Sequence, residues 1–252
     1  HMAKVLATTA VLLVLASLCA GQSCPELVGR WPYGPTLGVA VFGNHALYGS
    51  GAAVLVADIS TPDQPQVVGE VHVDGLVRDL EVVSGSVGVV VTRRGLSLLD
   101  LSDPAHPVVI GRFGQLSDPM DVVVSGGLAF IADISLGLVV VDISDPVSPS
   151  LVGDLHILYA QSVDVEGDLA FVGDLSSLRV VDVTDPAAPT ELGALGASGG
   201  VVSIDAVGTT VYLSASWLLI VADVSDPAHP ARVGEEDIEC MSVAVRGQYA
   251  YV

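Results

Sequence analysis

The sequence predicts an all-β fold, a β-propeller of four-stranded blades with five complete blades and an incomplete sixth. A five-residue motif of the type Asp142-Ile-Ser-Asp-Pro146 recurs at intervals of 40 to 42 residues. Its copies start at Asp58, Asp100, Asp142, Asp182 and Asp223. Each copy has a second proline three residues after the first, and a glycine 11 residues after its aspartate. The intervening segments are short and strand-like and lack helical periodicity, so each repeat corresponds to one propeller blade.

The repeat at residues 120–155 shows the four strands of one blade most clearly. Its strand-like segments are residues 121–126, 128–132, 138–142 and 151–155, separated by Gly, Pro and Asp turn residues. The apolar runs are nearly continuous, as expected for a sheet that neighbouring sheets cover on both faces. We expect the first aspartate of each motif to accept hydrogen bonds from backbone amides and the proline to fix the backbone of the turn.

The two ends of the array do not match each other. We expect residues 37–235 to form the five complete blades and residues 241–252 to begin a sixth. The segment from Pro25 to Trp31 resembles a fourth strand. Glu26 to Trp31 is therefore expected to pair as an outer strand near the C-terminal blade, or else to stay unpaired because its partner strand is missing. Because the sixth blade lacks strands, we expect the sequence to be truncated at Val252.

Residues 1–21 have the pattern of a signal peptide. Lys4 provides the positive start, Val5 to Leu18 form a 14-residue apolar run, and Ala20-Gly21 offers small residues for cleavage. A membrane-spanning helix needs about 20 residues, so we expect no stable membrane span after leader removal. A buried hydrophobic helix is the alternative for this segment. The propeller of residues 22–252 is then secreted, periplasmic or at the cell surface.

Two cysteines follow the leader, Cys24 and Cys240. In the predicted blade Cys24 precedes the outermost strand and Cys240 precedes the innermost one, about three strand spacings or ~14 Å apart. A disulfide requires Cα atoms within about 7 Å, so we expect two free thiols.

The chain is strongly acidic, with a formal net charge of −20. Such a surface repels nucleic acid and anionic lipid, and it favours solubility, cations or basic partners. The charge therefore excludes nucleic-acid binding as the expected function.

The predicted third strands end in a repeated pattern of four residues followed by aspartate. They read Val54-Leu-Val-Ala-Asp58, Leu96-Ser-Leu-Leu-Asp100, Leu138-Val-Val-Val-Asp142, Leu178-Arg-Val-Val-Asp182 and Leu219-Ile-Val-Ala-Asp223. Together with the Asp-Pro turns, they resemble the LVIVD-repeat family of exported bacterial and archaeal proteins, over residues 25–252. The resemblance implies a propeller in a secreted or surface setting. It carries no established catalytic motif, so no functional residue transfers from it.

Three aspartates are candidate metal ligands. Counted back from the glycine that ends each inner strand, Asp164 and Asp205 occupy the same position in adjacent blades, and Asp121 lies near the channel in the blade before. The other copies have Ala40, Val82, Val123 and Ala244 at that position. Three carboxylates on consecutive inner strands suit a hard cation such as Ca²⁺. Alternatively, each bonds a neighbouring backbone amide or one of the nearby serines, Ser162, Ser203 and Ser242.

One face of a propeller carries both the hairpins between second and third strands and the connectors between blades. The residues expected there differ from copy to copy, as on a binding face, although solvated loops vary too. They are Arg93, Arg94, Asp133, Asp174, Trp217, His72, Asp74, Asp118, His156, Tyr159 and the acidic run Glu235-Glu236-Asp237.

These observations favour a non-catalytic binding or scaffold module at or outside the cell surface, for a protein or another extracellular ligand. The alternative is a metal-dependent hydrolase or lyase with a site in the axial channel, formed by Asp121, Asp164 and Asp205. A third hypothesis is that the chain is a structural module of a larger envelope protein. The sequence contains no nucleophile elbow, zinc-ligand spacing, phosphate loop or dinucleotide fingerprint.

Overall fold

The computed structural model describes residues 37–83 and 86–252, which form strands and turns without a helix. Blade 1 contains β1 (Val39–Phe42), β2 (His45–Ser50), β3 (Ala53–Asp58) and β4 (Gln66–His72), and blade 2 contains β5 (Val77–Val83), β6 (Val87–Thr92), β7 (Gly95–Asp100) and β8 (Val108–Phe113). Blade 3 contains β9 (Pro119–Ser125), β10 (Leu128–Asp133), β11 (Gly137–Asp142) and β12 (Ser150–Leu155), and blade 4 contains β13 (Ser162–Glu166), β14 (Leu169–Gly173), β15 (Ser177–Asp182) and β16 (Thr190–Gly196). Blade 5 contains β17 (Val201–Val207), β18 (Thr210–Ala215), β19 (Leu218–Asp223) and β20 (Ala231–Asp237), and the sixth sheet is the hairpin β21 (Ala244–Arg246) and β22 (Tyr249–Tyr251). Five four-stranded sheets and a two-stranded one confirm the predicted all-β propeller.

The first strand of each blade contacts the first strand of the next, from β1 through β5, β9, β13 and β17 to β21. These six inner strands therefore lie around the propeller axis. Within each blade the strands are antiparallel and follow chain order. The hairpins between second and third strands and the connectors between blades lie at one end of the blades, which we call the upper face. The inner hairpins and the Asp-Pro turns lie at the lower face.

The hydrophobic core lies between blades. One cluster joins Val89 and Leu98 of blade 2 to Ile131 and Val139 of blade 3, and these side chains are at most 2% exposed. Equivalent clusters join blades 1 and 2, blades 3 and 4, and blades 4 and 5. Because each sheet is covered on both faces, its central strands are apolar throughout instead of alternating.

The repeated glycine and prolines meet across each blade junction. Gly111 lies in β8 where the turn of blade 3 approaches, and a methyl group at this position would overlap the carbonyl oxygen of Pro146. The same approach occurs between other pairs of consecutive blades, at Gly69, Gly153 and Gly193. The outer strand shifts register beside each of these glycines. The glycine 11 residues after each motif aspartate is therefore a packing requirement of the array.

The motif aspartates act in their turns as predicted. The Oδ1 atom of Asp142 accepts a hydrogen bond from the Ser144 amide at 2.8 Å. The same bond is present at Asp58, Asp100, Asp182 and Asp223. Hydrogen bonds from the serine or threonine two residues later lower the pKa of all five carboxyl groups. Their role in the turns is structural.

Three predictions fall partly or wholly outside the described residues: the signal peptide, the pairing of Glu26 to Trp31, and the state of Cys24. Cys240 is a buried free thiol, as predicted. Within residues 37–83 and 86–252, no helix has the length and apolar character needed to cross a membrane.

Candidate functional site: the channel carboxylates and the upper face

The three predicted aspartates lie on consecutive inner strands, and each bonds to the next blade. Asp121 Oδ2 accepts a hydrogen bond from the Val163 amide at 2.8 Å. Asp164 Oδ2 accepts from the Ala206 amide at 2.6 Å, and Asp205 Oδ2 accepts from the Val245 amide at 2.7 Å. Each carboxylate thus joins its own inner strand to the inner strand that follows.

Two further carboxylates, which the comparison of the repeats does not predict, make the same kind of contact. Asp79 Oδ2 accepts from the Val122 amide at 3.2 Å, and Glu81 Oε2 accepts from the Val124 amide at 2.5 Å. We refer to Asp79, Glu81, Asp121, Asp164 and Asp205 as the channel carboxylates.

Counting back from the glycine after each inner strand gives the wrong equivalence for blade 2, because it places Val82 at the position of Asp164. In the structure Glu81 pairs with Val89 as Asp164 pairs with Phe171. The physical reason is turn length: three residues separate the paired Val83 and Val87, whereas two separate Glu166 from Leu169. The residue of blade 2 that is equivalent to Asp164 is therefore Glu81, one position before Val82.

The channel carboxylates form two rows around the axis. The lower row contains Glu81, Asp164 and Asp205, and in the upper row Asp79 and Asp121 are followed by Ser162 and Ser203 at the same position of blades 4 and 5. Ser203 Oγ accepts from the Val243 amide at 3.1 Å, as the aspartates do in their junctions. An inner strand has one edge without a neighbouring strand, so its amides need acceptors from elsewhere. Side-chain oxygens of the two rows provide acceptors for amides of the following inner strand.

The position in the channel changes the protonation of these groups. Burial raises the pKa of Glu81 to about 7, against the opposing hydrogen bond from Val124. Burial also raises the pKa of Asp164 to about 6, despite its bonds to the amides of Ala206 and Val165. Both side chains are half-buried, so solvent reaches them along the channel.

Asp79 and Asp121 form a coupled acid pair. Their carboxyl groups are hydrogen-bonded to each other across the junction of blades 2 and 3. Burial raises the pKa of Asp121 well above its usual value, and the charge of Asp79 adds to this; burial also raises the pKa of Asp79. Two such carboxyl groups hold one proton between them, because a second negative charge at this distance is unfavourable.

The predicted Ca²⁺ site depends on free oxygens that converge. Among the described residues, no three His, Cys, Asp or Glu side chains are grouped so as to hold a metal ion. Asp121, Asp164 and Asp205 each direct one oxygen to an amide of the next blade, and Asp121 and Asp164 direct the other to their own strand. Metal binding by these three residues stays a prediction, for which a titration is given below.

Two of the predicted upper-face aspartates stabilise loops. Asp133 is fully buried, and its oxygens accept hydrogen bonds from the amides of Ser117, Asp118, Ser135 and Leu136. Asp174 accepts from Ser176 and Ser177 and pairs with Arg179 at 2.9 Å. These carboxylates are committed to loop structure and are not available to a ligand.

Large apolar side chains are exposed on the upper face. We call Leu136, Leu158, Tyr159, Leu175 and Trp217 the apolar patch; they lie in hairpins and connectors of blades 3 to 5. Trp217 is 66% exposed, Tyr159 50% and Leu175 49%. At the lower face, Val108, Val147, Val207 and Tyr249 are also at least 50% exposed, each in a different blade. The sequence predicts Trp217 and Tyr159 on this face but not the three leucines, because their exposure depends on loop packing.

The connectors and hairpins of the upper face are bonded to one another. The Ile134 amide donates to the Asp118 carbonyl at 3.1 Å, and the Tyr159 amide donates to the Ile134 carbonyl at 2.8 Å. The Val201 amide donates to the Asp174 carbonyl at 2.9 Å. The loops that carry the exposed side chains therefore continue the rigid framework of the blades.

Comparison with known proteins agrees with this architecture. The family model of the LVIVD repeat matches residues 74–114, 118–156, 159–195, 199–237 and 239–252, which correspond to blades 2 to 6. No curated protein matches the chain.

Solved structures share the fold at low sequence identity. The chain is similar to the computationally designed Ika8 protein, with 14% identity and a TM-score of 0.68, over 85% of this chain and 66% of the designed one. It is also similar to a functionally unknown protein from Desulfotomaculum acetoxidans DSM 771, with 17% identity and a TM-score of 0.69, over 81% of this chain and 70% of that one. The chain thus spans slightly less than two thirds of the designed protein.

Proposed function

Starting from the fact that this chain belongs to the LVIVD-repeat family, we propose that it is an exported, non-catalytic propeller that binds a protein partner through its upper face. The observation that carries the proposal is the apolar patch, which places five large exposed side chains on one end of the blades. Exposed apolar side chains gathered on one surface are characteristic of interaction sites. Family membership alone does not determine function, whereas this surface is a property of the chain itself.

Backbone conformation supports the choice of face. Tyr159 and Ser216 are the two non-glycine residues with positive φ within residues 37–83 and 86–252, at 61° and 58°. Both lie on the upper face, and Ser216 directly precedes the exposed Trp217. Such conformations cost about 1–3 kcal/mol each and are concentrated at functional sites.

The channel carboxylates support a non-catalytic role. A general acid or base needs a carboxyl group with an oxygen free to exchange a proton with a substrate. In the channel, Asp164 and Asp121 accept amide hydrogen bonds with both oxygens, and one bond of each joins its strand to the next blade. Their raised pKa values therefore have a structural explanation. This weakens the case for the alternative, a metal-dependent hydrolase or lyase in the channel.

The proposed location outside the cell is supported by the leader-like pattern of residues 1–21 and by the acidic composition. Expression of the full chain in a bacterium, with and without residues 2–21, tests it. We expect the full chain in the periplasm or medium, with its leader removed, and the shortened chain in the cytoplasm. Retention of the full chain in the cytoplasm would contradict export.

Binding through the apolar patch can be tested without knowledge of the natural partner. The probe is a phage library of random 12-residue peptides, selected on the immobilised protein and then synthesised with a fluorescent label. We expect selected peptides to bind at least about tenfold more weakly to a Trp217→Ser, Leu175→Ser double variant, because each exposed apolar side chain contributes buried area at the interface.

Val147→Ser is the matched control, because Val147 is 68% exposed but lies on the lower face. Peptides that bind the double variant as well as the native protein would place the interaction elsewhere. Failure to enrich any peptide would also count against the proposal.

A further inference from the structure

We propose that a cluster of four arginines beside the apolar patch is a carboxylate-binding site, and that the partner segment carries acidic residues next to apolar ones. The arginine cluster consists of Arg78, Arg93, Arg94 and Arg112, around blade 2 and its junction with blade 3. This inference rests on the proposed function, since it specifies the chemistry of the segment that binds the upper face.

The cluster is held together by two aspartates. Arg78 Nη2 and Arg93 Nε approach the same atom, Asp118 Oδ1, at 3.8 and 3.3 Å. Arg112 Nε lies 3.3 Å from Asp74 Oδ2. Three guanidinium groups thus share two carboxylates, so the cluster carries an excess of positive charge.

Arg94 is tied to the same site through its backbone. Its amide donates to Thr92 Oγ1 at 3.1 Å, and the Thr92 hydroxyl donates to the Asp74 carbonyl at 2.6 Å. The guanidinium of Arg94 has no ion pair with a described residue. It lies on an exposed hairpin, so it is available to a ligand.

This concentration of positive charge is unusual for the chain. The formal net charge is −20, and the described residues contain seven arginines and no lysine. Four of the seven belong to the cluster, whereas Arg179 and Arg232 pair with carboxylates of their own. A basic site in an acidic surface is attractive to a short anionic segment, but the surrounding field disfavours long polyanions.

The hydrogen-bonding capacity of Arg78 is also unfilled. Its Nε atom is buried and has no hydrogen-bond partner, and its contact with Asp118 is longer than a hydrogen bond. Arginine presents five donors in a planar fork that matches a carboxylate. An acidic side chain placed beside Arg93 and Arg94 would supply an acceptor to their exposed guanidinium groups and a further negative charge next to Arg78.

The arginine cluster adjoins the apolar patch. Arg93 contacts Asp118, whose carbonyl accepts from the Ile134 amide, and the Ile134 carbonyl accepts from the Tyr159 amide. A continuous path of bonded residues therefore runs from the cationic to the apolar part of the face. A protein segment with carboxylates on one side and apolar side chains on the other complements both. A nucleic acid or sulfated glycan offers no apolar side chains for the patch.

The peptides selected for binding to the upper face provide the test. We expect them to be enriched in Asp and Glu, and we expect an Arg93→Glu, Arg94→Glu variant to bind them at least about tenfold more weakly, since charge-assisted hydrogen bonds to arginine are strong. Raising NaCl from 50 to 300 mM, values chosen to shorten the screening length, should weaken binding to the native protein. Replacement of the acidic residues of a peptide by Asn and Gln should have the same effect.

An Arg232→Glu, Arg246→Glu variant is the control, because it changes the net charge equally at a distance from the cluster. Peptides that lose binding in the Trp217 variant but not in the Arg93 variant would overturn this inference and leave the proposed function intact. Peptides without acidic enrichment would do the same. Tight binding of heparin or a 12-nucleotide single-stranded DNA that depends on Arg93 and Arg94 would establish a polyanion ligand and overturn the protein partner.

Discussion

The Oδ2 atom of Asp121 accepts a hydrogen bond from the Val163 amide at 2.8 Å, across the junction between blades 3 and 4. The two residues are 42 positions apart, one full repeat. The same relationship links Asp79 to Val122 and Asp164 to Ala206. A buried polar side chain that satisfies an unpaired amide of the next blade both stabilises the junction and specifies its register. The channel carboxylates are therefore elements of assembly, and they make stability dependent on pH.

Substitution of Asp79 separates hydrogen bonding from charge. Asp79→Asn keeps an acceptor for the Val122 amide, and its NH₂ group donates to Asp121 in place of the shared proton. At pH 5 we expect its stability to be within about 1 kcal/mol of the native protein. Asp79→Ala removes the Val122 bond across the junction and leaves the buried Asp121 carboxyl group without its partner, which costs about 1–3 kcal/mol. Urea denaturation of both variants measures the difference. Equal stabilities of the Asn and Ala variants would show that the bond is unimportant.

Glu81 makes the protein less stable at alkaline pH. Its folded-state pKa of about 7 lies above the ordinary value of 4.5, so the folded state holds the proton more tightly than the unfolded state does. Between these values stability falls as pH rises. Asp164, with a pKa of about 6, acts in the same direction. We expect the melting temperature to be higher at pH 5 than at pH 8.

Glu81→Gln should remove much of this dependence. At pH 8 we expect the variant to be more stable than the native protein by about 1 to 2 kcal/mol, less than the full pKa shift implies because solvent reaches the channel. At pH 5 the two should be alike. Calorimetric melting curves at both pH values measure this, with the exposed Glu166→Gln as control. A native melting temperature that rises from pH 5 to pH 8 would contradict the explanation.

Acid should destabilise the protein through a different set of groups. Hydrogen bonds in the turns lower the pKa of the motif aspartates, such as Asp142, and these bonds are lost when the carboxylates are protonated. Their contribution is present above the ordinary pKa of 3.8 and disappears as pH falls through the lowered value. We expect stability to pass through a maximum near pH 5 and then to fall below about pH 4. Asp142→Asn should reduce the steepness of the fall.

The glycine of the outer strand can be tested at two equivalent positions. Gly111→Ala places a methyl group against the Pro146 carbonyl of the next blade, and we expect it to destabilise the fold by about 1–3 kcal/mol. Gly234→Ala is the matched control, because its nearest neighbour would be Val221 Cβ at 3.5 Å, an ordinary contact. Thermal unfolding of the two variants should show a lower melting temperature for the Gly111 variant alone. An equal effect of both would mean that strand propensity, not the blade contact, selects glycine.

Calcium titration tests the predicted metal site. Because both oxygens of Asp121 and Asp164 and one oxygen of Asp205 accept amide hydrogen bonds, we expect no heat of binding and no rise in melting temperature at millimolar Ca²⁺. A rise in melting temperature that Asp164→Asn abolishes would instead establish the cation site.

The blade architecture was predictable because it depends on local chemistry repeated along the chain. The Asp142 turn, its proline and Gly111 each perform the same task at nearly the same spacing in successive repeats, so the pattern identifies both the repeat and its structural role. The candidate site was less predictable. Glu81 was missed because a turn one residue longer shifts it relative to the glycine, and only strand pairing reveals its equivalence to Asp164.

The sequence alone therefore determined the five complete blades, the four strands of each and the hydrogen bonds within the Asp-Pro turns. All of these arise from residues close together in the chain. Tertiary structure decided which groups meet across the junctions. Asp79 and Asp121 share a proton, and Arg78 and Arg93 approach one carboxylate, because neighbouring blades place residues from different repeats side by side. Exposure of Leu175 and Trp217 likewise depends on how connectors pack on hairpins. Such relationships depend on the relative position of whole blades, which no local sequence pattern encodes.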